Sequence, residues 1–128
     1  MAINFNEDSV FNLRQIPVDH VRDDVMGLLI DGEDCVMAFQ TVRDQLVFTN
    51  KRIISIDLQK ISGKRRTFVS MPYSRIQYFS IQTPGFIEIF PDSELSIMFS
   101  NGVTATFEIK GRTNIGKIGR IISEFVCR

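Results

Sequence analysis

The chain has one histidine and two cysteines, so nucleophilic or metal chemistry would have to be built from very few groups. His20 lies beside Asp19, Asp23 and Asp24. One imidazole with carboxylates on differing faces of a helix is a poor ligand set, and a solvated acidic face is the simpler reading. A Ser-His-Asp or Cys-His centre would have to recruit that same histidine from outside the main body of the chain. Cys35 and Cys127 are too far apart for a zinc spacing. Each sits in an apolar run and reads as a reduced core thiol; a disulfide between the first strand and the last helix is conceivable but has no support. Gly111, Gly116 and Gly119 do not follow a strand in the dinucleotide-binding pattern. The expectation is a non-enzyme with no catalytic residue, no metal and no cofactor.

The other chemistry-bearing cluster is basic. Lys60, Lys64, Arg65 and Arg66 fall in one loop, with Lys51 and Arg52 one hairpin away. Several cationic donors together suit phosphate or an anionic lipid. Lysines and arginines in a turn also guard a sheet edge, and Arg52 is placed to pair with Asp44 across its hairpin. Over the whole chain 15 basic residues balance 15 acidic ones. That balance argues against a dedicated nucleic-acid binder and leaves little repulsion to oppose self-association. Residues 1–30 carry seven charges and no apolar signal region, and no apolar run approaches the ~18 residues that span a bilayer. The expectation is a soluble, cytoplasmic protein.

These residues need a frame, and 128 residues suffice for one domain with a real core. Val18, Val21, Val25, Leu28 and Leu29 recur at helical spacing behind Pro17, and a shorter helix could start at Asp8 or Ser9. Residues 1–32 are therefore expected to be a helical extension and 33–128 the main domain, with Asp31-Gly32-Glu33-Asp34 as the turn between them. From Cys35 the period changes to two: Ile54, Ile56 and Leu58, then Leu95, Ile97 and Phe99, then Val103, Ala105, Phe107 and Ile109 alternate with polar residues. Asn101-Gly102 between the last two runs signals a tight hairpin of type I′. Less regular strands are read at 35–41, 45–49, 67–72 and 76–82. The connections are too short for parallel crossovers, so about seven antiparallel strands are expected. Ile115, Ile118, Ile122 and Phe125 form one face of a closing helix. Gly116 and Gly119 within it suggest close approach to the sheet.

Three segments carry a family resemblance: Arg43-Asp44-Gln45-Leu46-Val47-Phe48-Thr49-Asn50-Lys51-Arg52, Ile56-Asp57-Leu58-Gln59 with Ser62-Gly63-Lys64, and Ser70-Met71-Pro72-Tyr73-Ser74-Arg75-Ile76 running into Phe79-Ser80. Their order and spacing resemble the bacterial pleckstrin-homology (PH) domain family over about residues 30 to 127. The resemblance implies a mainly β, PH-like barrel of seven antiparallel strands in two near-orthogonal sheets, capped by the C-terminal helix. It also implies ring-shaped homo-oligomers, with pentamers favoured. The chain departs from the family pattern at Lys60, Gln82 and the apolar stretch 86–90. The loop in which eukaryotic PH domains hold phosphate is here Val42-Arg43-Asp44-Gln45, which lacks that basic set.

Several strands are apolar on both faces, more than one barrel core needs. The N-terminal helices, another subunit or a membrane are the available covers. The oligomer-interface candidates are Val36, Ala38, Ile53, Phe86 and Phe90. The leading expectation is a non-catalytic binding or scaffold module that assembles with itself, with another protein or a membrane surface as further possible partners. The alternative is a peripheral binder of anionic lipid through Lys60, Lys64, Arg65 and Arg66.

Overall fold

The structure is a computed structural model that describes residues 9–41, 44–58, 66–83, 92–111 and 115–127. Its eight strands are β1 (Ser9–Ile16), β2 (Cys35–Gln40), β3 (Gln45–Thr49), β4 (Arg52–Leu58), β5 (Arg66–Pro72), β6 (Ile76–Gln82), β7 (Ser93–Phe99) and β8 (Thr104–Ile109). A single-turn helix α1 (Asp23–Met26) precedes β2, and the helix α2 (Ile115–Val126) follows β8. The hydrogen-bonded order is β5-β4-β3-β2-β1-β8-β7-β6. The mainly β class and the closing helix agree with the sequence reading; the strand number and the continuity of the sheet differ from it.

The difference is β1. The segment read as a short helix is a strand in the middle of the sheet. Its second half pairs antiparallel with β2, Gln15 opposite Phe39, and its first half pairs parallel with β8, Val10 opposite Phe107. An irregularity between Val10 and Leu13 shifts the register within the pairing to β8 and breaks the period-two pattern that would have marked a strand. One strand thus joins the run β2–β5 to the run β8–β6. Residues 9–16 are part of the sheet, not of an appendage.

The inner faces meet in one cluster that includes Leu13, Phe39, Phe48, Ile53, Ile97 and Phe107. A second, smaller cluster lies on the other face of β2–β4: Ala38, Val47, Ile54 and Ile56, covered by Val21 and Val25. The long N-terminal helix read from the apolar spacing is thus only a 3-10 turn at Val18–His20 and α1, because the backbone is extended at Val21 and Arg22. Positions 21 and 25 keep the i, i+4 relation and are buried, while Val18 and Leu28 are exposed. The second apolar faces of β2 and β4 therefore find their cover within the same chain.

The β7–β8 connection is also one residue longer than expected. Phe99 and Val103 face each other through Phe99 N–H to Val103 O at 2.8 Å, and Gly102 N–H closes a turn on Phe99 O at 2.9 Å. With Gly102 at φ +87° this is the three-residue loop in which glycine takes the left-handed position.

On α2, Ile118 and Ile122 are buried while Gly116 is exposed, so close approach accounts for Gly119 alone. A Cβ at Gly119 would lie 2.5 Å from Ile81 Cδ1 on β6. Gly119→Ala is expected to be nearly neutral, because improved helix propensity offsets a shift of one Ile methyl. Gly119→Leu has no such compensation and is expected to lose about 1–3 kcal/mol by overpacking, measured as a lower urea midpoint at unchanged slope.

Candidate functional site

The residues that carried the family resemblance form a clasp between the segment before β2 and the β3–β4 hairpin. Glu33 is buried, its side chain 0% exposed. Arg52 grips it with Nε to Oε2 and Nη2 to Oε1, both at 3.0 Å. Thr49 Oγ1 donates to Oε2 at 2.6 Å, and the Ile30 N–H donates to Oε1 at 3.1 Å. The Thr49 hydroxyl also accepts the N–H groups of Lys51 and Arg52, each at 3.0 Å. Asn50 accepts from the Asp34 N–H and donates to Gly32 O, both at 2.9 Å. Arg52 reaches further, to Leu28 O at 2.8 Å and Ser70 Oγ at 3.0 Å. Burial pushes the Glu33 carboxyl up, but the hydrogen bonds from Arg52, Thr49 and Ile30 outweigh it and hold the group below its ordinary range. The anticipated pairing of Arg52 with Asp44 is replaced by this one, because β4 aims the guanidinium at the turn before β2.

The second motif serves the same frame. Tyr73 donates its hydroxyl to Thr49 O at 2.6 Å and stacks on Phe125 of α2, centroids 5.0 Å apart. Burial, with the nearby Glu33 charge, pushes its phenol well above the ordinary range, so it stays a donor. The backbone O of Arg75 accepts the Ser100 N–H at 2.8 Å. Thr49, Asn50, Arg52 and Tyr73 are thus committed to holding the fold.

Of the basic loop, Lys60, Lys64 and Arg65 lie outside the described residues. Arg66, at the start of β5, ion-pairs with Asp24 of α1 at 3.5 Å. Asp24 also takes Arg22 at 3.1 Å, and that hydrogen bond is the main cause of its lowered pKa. Among the interface candidates, Phe86 and Phe90 lie outside the described residues. Ala38 and Ile53 are 0% exposed and present no surface to a neighbouring copy: Ala38 sits under Val21 and Val25, and Ile53 faces the main core beside its partner Phe48. The sequence reading had the faces of β4 reversed, with Ile54 and Ile56 as the main core. Val36 is at the surface, with Met26, Leu28 and Ile30 exposed in the same stretch of chain. Cys127 is exposed and Cys35 half-buried, both free, so only Cys35 fits the expected core thiol. Its sulfur lies 3.7 Å from Met26 Sδ, and burial, with Glu33 and Asp34, raises its pKa. His20 is exposed, its Nε2 3.9 Å from Asp19 Oδ1.

A surface groove of about 490 Å³ lies at the corner where β5 turns into β6. Residues 69–72 of β5 form one wall, residues 99–101 and 103 of the β7–β8 hairpin the other, and Arg75 stands between them. Among the described residues no strand but β4 pairs with β5 and none but β7 with β6. The sequence reading placed Arg75 in a motif but could not place it in a groove, because the two walls are some thirty residues apart and meet only in the fold. No helix among the described residues is long and apolar enough to cross a membrane.

Comparison with known proteins bears on this geometry. The family model described as the bacterial PH domain matches residues 4–126. Two uncharacterized Bacillus subtilis proteins are similar in sequence. YjqA is 38% identical over 98 residues, covering 77% of each chain; YozO is 32% identical over 101 residues, covering 79% of this chain and 85% of its own. A crystal structure of a Shewanella loihica protein with a pleckstrin-homology domain superposes with a TM-score of 0.76 at 31% identity, covering 90% of this chain and 97% of the other. A pleckstrin-homology domain from Shewanella amazonensis gives 0.64 at 30% identity, covering 87% and 89%.

Proposed function

Since the chain belongs to the bacterial PH domain family, whose members are generally non-catalytic, we propose that it is a binding or scaffold module that assembles with itself into a ring. The observation that carries this reading is that β5 and β6 end the sheet, each with one strand partner among the described residues. Open edges are usually blunted or covered. Here they lie on two different strands, so pairing of one edge with the other edge of the next copy is a head-to-tail contact, and head-to-tail contacts close into rings when the rotation permits. The family resemblance favours five subunits. The exposed apolar side chains of Met26, Leu28, Ile30 and Val36 supply further surface for association, and the two free cysteines suit a reducing, cytoplasmic setting.

The test is the absolute mass of the full chain by light scattering. A single species several times the chain mass is expected at micromolar concentration, insensitive to salt because apolar contact is not screened. A one-chain mass sinks the proposal. Leu28→Asp with Ile30→Asp is expected to shift the population towards smaller species while leaving the circular dichroism of the fold intact.

A further inference from the structure

The strand β1 lies in the middle of the sheet, yet its register with each neighbour is short. Against β2 it runs only over Arg14–Gln40, Gln15–Phe39 and Ile16–Ala38, and against β8 over Ser9–Thr106, Val10–Phe107 and Leu13–Ile109, with the shift after Val10. β4 and β5, by contrast, pair without a break from Arg52–Pro72 to Leu58–Arg66. A strand held over so short a register opens more readily than the hairpins on either side of it. The slot it fills is nevertheless one the core requires. Leu13 is 0% exposed in the main core, and its backbone O accepts the Lys110 N–H at 2.7 Å.

The chain that follows β1 is anchored separately, to other strands. The Arg22 N–H donates to Gln45 Oε1 at 3.1 Å, and Gln45 Nε2 donates to His20 O at 3.2 Å. Val21 and Val25 are buried over β2–β4, and Arg52 and Asn50 hold the carbonyls of Leu28 and Gly32. Between these anchors and the strand stands Pro17, itself extended at φ −60° and ψ 146°, and its ring keeps Ile16 extended as well. Opening β1 therefore leaves the anchors in place and swings an extended arm about residue 17. The arm of residues 9–16 reaches roughly 26 Å at 3.3 Å per residue. An identical slot exists in every other copy of the chain, so a second copy is complementary to the arm by construction.

We infer that in the assembly β1 of one copy fills the slot between β2 and β8 of the next, whose own β1 passes on in the same sense. In a single chain β1 fills its own slot, as in this structure. The exchange rests on the self-assembly proposed above and names the segment that the copies share. A released strand meets its own slot at an effective concentration on the order of millimolar, so only a neighbour already held within reach of the arm competes with that. Exchange thus follows assembly and then locks it, because a copy leaves only when Leu13 leaves a neighbour's core. Strand and slot are different surfaces, so the contact is head to tail.

The test is disulfide trapping in the full-length chain. In a background of Cys35→Ser with Cys127→Ser, the substitutions Arg14→Cys and Gln40→Cys put thiols on two exposed positions that face each other across β1 and β2, where side chains on adjacent strands lie about 4.5–5.5 Å apart. Folding is checked by circular dichroism and mass by light scattering before oxidation. The oxidised double variant is expected to run on denaturing, non-reducing gels mostly as multi-chain bands that collapse to one chain on reduction. As a second measurement, Arg14→Cys chains refolded together with Gln40→Cys chains are expected to cross-link to each other, while neither does so alone. Wild-type chains that stay single overturn the self-assembly reading and this one with it. Wild-type chains that assemble, while the double variant cross-links only within one chain and the mixed chains stay unlinked, overturn the exchange alone. So does a folded assembly whose thiols stay free, since β1 then holds this register in no copy.

Discussion

Arg52→Ala is expected to lose about 3 kcal/mol of folding stability, the lower end of the cost of removing one partner from a buried ion pair, since Arg52 keeps 21% of its side chain exposed. The loss comes less from the attraction given up than from Glu33, which stays buried without its main counter-charge. The pH dependence separates this cause from a simple loss of packing. In the wild type the Glu33 carboxyl is held below its ordinary range. Its contribution is therefore fully present above the unfolded-state value of about 4.3 and is lost as the pH falls through the lower folded value. In the variant, burial acts with less opposition and moves the group upwards, so protonation relieves it. The stability gap between the two proteins should be widest above about pH 5 and should narrow towards pH 3. Urea titrations at several pH values measure it, and a gap independent of pH would remove Glu33 from the account. Arg52→Lys should fall between, because an ammonium keeps the charge but not the two-pronged grip.

Leu13→Asp is expected to cost roughly 4 kcal/mol or more, enough to unfold a domain of ordinary stability. Leu13 is 0% exposed in the main core and sits on the strand that joins the two halves of the sheet, opposite Ile109 of β8. An aspartate there loses the leucine's burial and strands a charge among apolar side chains. Gln15→Asp, two positions on and exposed, is the matched control and should change stability by less than about 0.5 kcal/mol. If residues 9–16 were a helix lying outside the sheet, both substitutions would be mild. Thermal unfolding of the pair decides between these pictures.

The strands from β2 onwards could be read residue by residue because their pairing is local. Hairpin neighbours lie a few residues apart, and the alternation of Leu95, Ile97 and Phe99 with Ser96 and Met98 reports a face directly. The Thr49-Asn50-Lys51-Arg52 and Pro72-Tyr73 stretches likewise marked the family correctly, although nothing in them states their task. That task is the clasp on Glu33 and the tie from Tyr73 to Thr49 and α2, which requires three distant segments to meet.

What stayed hidden has one physical origin. A strand such as β1 pairs on one side with β8, roughly a hundred residues away, and an irregularity between Val10 and Leu13 removes the alternation that would announce it. Similarly, local pattern cannot tell which apolar face of β4 meets the main core: Ile53 and Ile54 are equally apolar, and the position of Val21 and Val25 alone makes Ile54 part of the second cluster. Period and turn residues, both local quantities, were enough for a β-domain closed by a helix, and the resemblance of three segments was enough for its family. The clasp on Glu33, the burial of Ala38 and Ile53, and the place of β5 at the end of the sheet depend on non-local contacts, and those exist only once the chain has closed on itself.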